Sequence, residues 1–178
     1  RDDGNTMPIA HSKGEQRGRH VVDALRRGYR LGFVGGGDIH DGRPGDPLHT
    51  ESYLSGSGKF WPSGFTAVYT PKLTRQSVFA AIRDHRTYAT TQSRILLDAA
   101  FAGTGDRRRV DVLAASEEGI HEVALVVGGE DVHILHPEGC GRVFEVRDVP
   151  LALPPQTSAF VRIITNRGHM AWSSPVWG

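Results

Sequence analysis

The sequence predicts an α/β segment over residues 1–90 followed by an antiparallel β-sandwich-like domain over residues 91–178. Three observations carry this reading. A short amphipathic helix runs into an apolar strand that ends in a glycine-rich corner. A second strand and helix follow, separated from the first pair by a long Gly/Ser/Pro stretch. From Thr87 onward, short apolar runs alternate with turn residues, and no convincing helical period appears.

Residues Arg1 to Arg19 are polar, contain Gly4, Gly14 and Gly18, and read as a loop in which His11 and Glu15 are ordinary loop residues. A helix is expected over His20–Arg27, with Val21, Val22, Leu25 and Tyr29 on one face and Gly28 as its stop. Leu31-Gly32-Phe33-Val34 then reads as a buried strand. The stretch Asp41–Gly64 is long for a connection inside a compact domain, and such connections are commonly functional. Phe65–Tyr69 has strand composition. Thr74 is placed to cap a helix running to about His85, with Val78, Phe79 and Ile82 expected on its buried side.

The second half offers strands at Ile95–Leu97, Val110–Val112, Val123–Val127, Val132–Ile134, Val143–Val146 and Phe160–Ile164. Between them lie Gly103-Thr104-Gly105, Glu117-Glu118-Gly119, Gly128-Gly129, Pro137–Gly141 and Pro154-Pro155. Repeated short strands punctuated in this way are the signature of a sandwich.

Composition narrows the function classes. The formal net charge is +1, so a broad nucleic-acid footprint is not expected. The one basic cluster, Arg107-Arg108-Arg109, sits beside Gly103 and Gly105 and reads as a solvated hairpin loop. No apolar run is long enough to span a membrane. The single Cys140 excludes an internal disulfide and a thiolate metal cluster.

The chemistry concentrates at Gly35-Gly36-Gly37-Asp38-Ile39-His40. Three glycines let the backbone turn freely, and a carboxylate and an imidazole follow at Asp-x-His spacing. On extended backbone, residues i and i+2 share a face about 6–7 Å apart. Asp38 and His40 can therefore converge on one cation or on two neighbouring ones, and their donor atoms suit zinc, manganese or iron. The run is not a dinucleotide fingerprint, because His40 stands where the third glycine belongs. Arg43, just beyond, is a candidate for an anionic substrate, since a guanidinium fork matches phosphate oxygens; the plainer reading is a surface arginine.

Several blocks together resemble the carboxyl-terminal part of the DUF3604 family, whose members look like PHP (polymerase and histidinol phosphatase) metal hydrolases. The blocks are the run from Asp23 to His40, Gly42-Arg43-Pro44-Gly45, Phe65–Tyr69, Leu73-Thr74-Arg75, Arg86–Thr91 and Ala171-Trp172-Ser173-Ser174-Pro175-Val176-Trp177. The resemblance implies that residues 1–90 supply the last βα units of a (βα)7 barrel with metal ions at its carboxyl face. Asp38 and His40 match the last metal motif of that fold. The opening His-x-His motif of the family has no counterpart in this sequence. The resemblance thus implies a carboxyl-terminal piece of a longer protein, completed by the amino-terminal portion or by a second chain. Contacts with that portion are expected around Leu31–Val34 and Phe65–Tyr69.

Two functional readings follow. In the first, the chain contributes to a metal-dependent hydrolase of phosphoesterase type acting on a small anionic substrate, with Asp38 and His40 as ligands of divalent ions (Zn, Mn or Fe), Arg43 on the substrate and no assigned general base. In the second, it is a non-catalytic sandwich module that binds a carbohydrate or a protein, with Trp61, Trp172 and Trp177 available as a platform and the Asp-x-His corner a relic. Tyr88-Ala89-Thr90-Thr91 is expected to be a structural join.

Overall fold

A computed structural model describes residues 18–36, 64–91, 93–136 and 141–178. The elements begin with α1 (Val21–Arg26), β1 (Phe65–Val68), α2 (Arg75–Arg83) and β2 (Thr87–Thr90). They continue with β3 (Leu96–Ala102), β4 (Arg109–Ala115), β5 (Ile120–Val127), β6 (Glu130–Leu135), β7 (Val143–Pro150), β8 (Ser158–Thr165), β9 (Met170–Ser173) and β10 (Val176–Trp177).

The strands form two sheets. The larger has the order β1-β2-β9-β8-β5-β6, with β10 continuing beside β8, and the smaller has the order β3-β4-β7. Every strand pairing among the described residues is antiparallel. Alternate residues of each strand point to opposite faces, and those facing between the sheets are apolar. Leu97 of β3 and Val110, Val112 and Ala114 of β4 meet Val123 and Leu125 of β5, Val161 and Ile163 of β8 and Ala171 of β9. The sandwich expected of the second half is present.

The large sheet is covered on its other face as well. Ala124, Val126 and Phe160 pack against Leu25 of α1, with Phe33, Trp172 and Trp177 around them. Double coverage explains the unbroken buried run Val123–Val126, which a half-exposed strand would not show. Helix α1 is short and needs local help. The Asp23 carboxylate accepts the His20 N–H at 2.9 Å, and Gly28 closes the turn at φ +84°.

The barrel expectation is overturned. Residues 64–90 do not form βα units of a (βα)7 barrel, because β1 and β2 pair with each other in antiparallel register, Phe65 opposite Thr90 and Val68 opposite Thr87. Helix α2 therefore connects antiparallel neighbours, whereas a barrel helix crosses over between parallel strands. β2 pairs on its other side with β9, so this hairpin is built into the large sheet of the sandwich.

Two local expectations also change. Leu31–Val34 is extended but takes no place in a ladder, and Leu31 and Val34 are exposed. Thr74 does cap α2, its hydroxyl accepting the Ser77 N–H at 3.2 Å. Its buried residue, however, is Ala81, while Phe79 and Ile82 are 66% and 44% exposed. No helix among the described residues is long and apolar enough to cross a membrane.

Two tyrosines tie the sheets together. Tyr69, just after β1, donates its hydroxyl to the Leu97 carbonyl, and Tyr88 donates to the Ile95 carbonyl at 3.0 Å. Their rings lie 5.4 Å apart. Burial penalises the phenolate and holds both hydroxyl pKa values above the ordinary tyrosine value. Above pH ~10 the unfolded chain ionises these groups while the folded chain keeps them protonated, so stability falls with rising pH. Tyr69→Phe is expected to flatten that alkaline loss in denaturant titrations run between neutral pH and ~11; an unchanged slope would count against the assignment. Ile163→Ala, at the centre of the seam, is expected to cost about 2–5 kcal/mol with an unchanged urea m-value.

Candidate functional site

The antiparallel registers bring several chain segments to one end of the large sheet. β1 begins there at Phe65, β2 ends there at Thr90, and β9 begins there at Met170. β8 ends there at Thr165, and β5 begins there at Ile120. Neighbouring strands stand about 4.8 Å apart, so this rim runs about 20 Å from β1 to β5.

At its β1 end the rim holds the base of the segment singled out by the sequence. Gly64 donates its N–H to the Gly36 carbonyl at 3.3 Å, which closes residues 37–63 at their two ends. Thr66 makes both polar bonds of Gly35: its hydroxyl donates to the Gly35 carbonyl at 2.7 Å and accepts the Gly35 N–H at 3.0 Å. One hydroxyl thus does the work of a ladder partner. A second brace lies two residues upstream. Thr87 donates to the Phe33 carbonyl at 2.8 Å, and Ser174 accepts the Phe33 N–H at 2.9 Å. The two hydroxyls are 3.0 Å apart, and since the single proton of Thr87 goes to Phe33, Ser174 is the donor between them.

Glycine is required at this base for a steric reason. A Cβ on Gly35 would strike the Phe65 carbonyl, and one on Gly64 would lie 2.8 Å from the Thr90 carbonyl oxygen. The glycines permit a close approach of backbone to backbone.

Farther along the rim stands a half-buried polar row. His169 Nε2 lies 3.8 Å from Glu118 Oε1, and His169 Nδ1 lies 3.4 Å from the Thr91 hydroxyl. Thr165 donates to the other Glu118 oxygen at 2.8 Å. Thr91 also accepts the Met170 N–H at 2.8 Å, which fixes its hydroxyl at the edge of β9. The Thr91 hydroxyl also has the Met170 carbonyl oxygen at 3.5 Å, so its one proton has two acceptors in reach. Such a row can hold a proton or orient one.

The metal-ligand candidates Asp38 and His40 and the substrate candidate Arg43 lie outside the described residues, as do His11, Glu15, Trp61 and Cys140. For Asp38, His40, Arg43 and Trp61 the structure fixes the two ends of their segment, at Gly36 and Gly64. Among the described residues no group of three or more His, Cys, Asp or Glu could hold a metal ion. Trp172 and Trp177 are half-buried in the outer layer against Phe160, with Arg30 stacked 5.6 Å over the Trp177 ring. Glu118, Thr165 and His169 did not stand out in the sequence, where each lies in or beside a turn. Only the pairing of β5 with β8 brings those turns together.

The family described as "Protein of unknown function (DUF3604)" matches residues 49–123. An uncharacterized protein of Chlamydia trachomatis serovar D is 30% identical over 200 residues, covering 98% of this chain and 31% of the relative. An uncharacterized protein of Chlamydia muridarum is 29% identical over the same shares, and one of Chlamydia pneumoniae is 27% identical. The chain thus spans about a third of the length of the curated relatives it matches. No solved structure matches.

The base of the segment yields a direct test. Thr66→Val removes both bonds to Gly35 and is expected to cost about 1–3 kcal/mol in chemical denaturation. Gly35→Ala forces a carbonyl clash and is expected to cost more than Thr66→Val. The reverse order would show that the hydroxyl, and not close backbone approach, governs this junction.

Proposed function

We propose that this chain is a portion of a PHP-like metal-dependent hydrolase, most simply a phosphoesterase, to which it contributes the ligands Asp38 and His40. The observation that carries the reading is the Asp-x-His pair placed directly after a glycine base that is clamped to the rim of a sheet. Asp38 stands two residues beyond Gly36, whose carbonyl is held by Gly64. A ligand pair is most useful when its backbone starts from a fixed point, because preorganisation spares the entropy of ordering it on binding.

The donor chemistry fits a divalent ion. One carboxylate oxygen and one imidazole nitrogen suit zinc, manganese or iron. A bound ion of this kind supplies a water of lowered pKa and neutralises phosphoryl oxygens. Asp38 offers charge to the cation and His40 a neutral nitrogen, while Arg43 is positioned in sequence to hold the substrate anion through its guanidinium fork. Two ligands are one short of the three protein ligands common in catalytic zinc sites. The remaining donors come, in this reading, from further polypeptide of the kind the longer relatives carry. Of the tryptophans named for the sandwich-module alternative, Trp172 and Trp177 are partly buried against the outer cluster around Phe160, and Trp61 lies outside the described residues.

Metal analysis by plasma mass spectrometry tests the assignment. Asp38→Ala with His40→Ala is expected to lower bound divalent metal by at least about tenfold, in keeping with the loss of two direct ligands, while the circular dichroism spectrum stays unchanged. Equal metal in the parent and the double variant would reject the ligand assignment. Arg43→Ala is expected to raise KM for p-nitrophenyl phosphate with little change in metal content.

A further inference from the structure

Helix α2 has apolar residues on more sides than the fold buries. Ala81 is fully buried against the sandwich, yet Leu73 is 92% exposed just before the helix and Phe79 is 66% exposed within it. With Thr74, Arg75, Val78 and Ile82 these two residues line an open groove of about 380 Å³. A helix that is apolar beyond one stripe is normally covered on both sides. Exposed clusters of large apolar side chains mark interaction surfaces.

The surroundings of the groove indicate what covers it. Arg75 lines the groove, Lys72 and Arg83 adjoin its lining residues Leu73 and Ile82 in sequence, and all three are exposed; the carboxylate next to them in sequence, Asp84, lies 3.7 Å from Arg83. The cations outnumber the carboxylates, so the surface favours an apolar ridge flanked by acidic side chains. The curated relatives align with 97–98% of this chain but carry about twice as much additional polypeptide, since the match takes only 31% of their length. That extra length is ample to supply a covering element.

We propose that the Leu73–Ile82 groove is the docking surface for further polypeptide of the same protein, received as an acid-flanked apolar segment. This rests on the reading of the chain as part of a larger assembly, but not on its hydrolytic chemistry. It adds α2 to the contact region expected from the sequence, in which Leu31 and Val34 are exposed and Phe65–Val68 is half-buried.

The test compares the 178-residue chain with the product of the complete reading frame that encodes it, each with Phe79→Asp as a second version. Hydrogen exchange across residues 75–83 is expected to slow at least about tenfold in the complete product, the signature of a covered helix. Phe79→Asp is expected to leave the melting temperature of the 178-residue chain within ~1 °C, because the ring is exposed there. It is expected to lower that of the complete product by at least about 5 °C, as for a buried charge. Equal exchange in the two proteins would overturn the proposal. So would a dimer of the 178-residue chain that Phe79→Asp dissociates, which would make a second copy the occupant. So too would binding of that chain to anionic phosphatidylglycerol vesicles, lost in Phe79→Asp, with no change in exchange in the complete product. Metal content is read separately in the same samples, so failure of the docking surface and failure of the metal reading are distinguishable.

Discussion

The fold depends on the apolar seam between the two sheets. Leu97, Val112 and Ala114 from one side and Val123, Leu125, Val161 and Ile163 from the other are each at most 5% exposed. At about 25 cal/mol per Å² of apolar surface removed from water, burial of one such side chain is worth ~1.5–3 kcal/mol. The other features are arranged around that seam. The β5–β8 pairing sets which turns share an end of the sheet, and Tyr69 and Tyr88 reach across from the β1–β2 hairpin to carbonyls before and within β3.

The outer layer is held by different means. Leu31–Gly36 has no ladder partner, so its backbone groups would be costly if left dry. Thr66, Thr87 and Ser174 satisfy those of Phe33 and Gly35 with hydroxyls, and the segment lies on the sheet without joining it. A side-chain hydroxyl can donate and accept at once, which suits an extended stretch that has no ladder partner. Arg26 adds a polar tie, donating to the Gly128 carbonyl at 3.0 Å and to Glu130 at 2.7 Å. Charged contacts so exposed contribute little alone; Leu25 and Phe33 do more to seat this layer.

The second half was legible because its strands are short, alternating and separated by Gly and Pro turns. β3 through β8 fall on the runs that composition marked. β9 and β10 were harder to see, since Met170–Ser173 and Val176–Trp177 are too short to show a period. The first half was misread in topology. A strand, a helix and a strand look the same in sequence whether the strands end up parallel or antiparallel. What decides between them is the pairing of Thr87–Thr90 with both Phe65–Val68 and Met170–Ser173, a non-local contact without a local signal. The face of α2 was misjudged for a related reason. Periodicity shows that apolar residues share a face, whereas the identity of the covering layer lies elsewhere in the chain. Of the candidate site, the glycine base was legible from composition, and the Thr91–His169–Glu118 row was not, because its members are separated by dozens of residues.

Closure of residues 37–63 between Gly36 and Gly64 has a consequence for how such a protein can diversify. Once the two ends of a connection are fixed, the entropy of closing it grows only with the logarithm of its length, about 0.6 kcal/mol for each doubling. The bonds that fix the ends belong to Gly35, Gly36, Gly64 and Thr66, all outside the connection itself. The anchor of the connection is thus written in residues other than Asp38, His40 and Arg43. The sequence that holds the two ends and the sequence proposed to carry chemistry are therefore free to change on separate schedules.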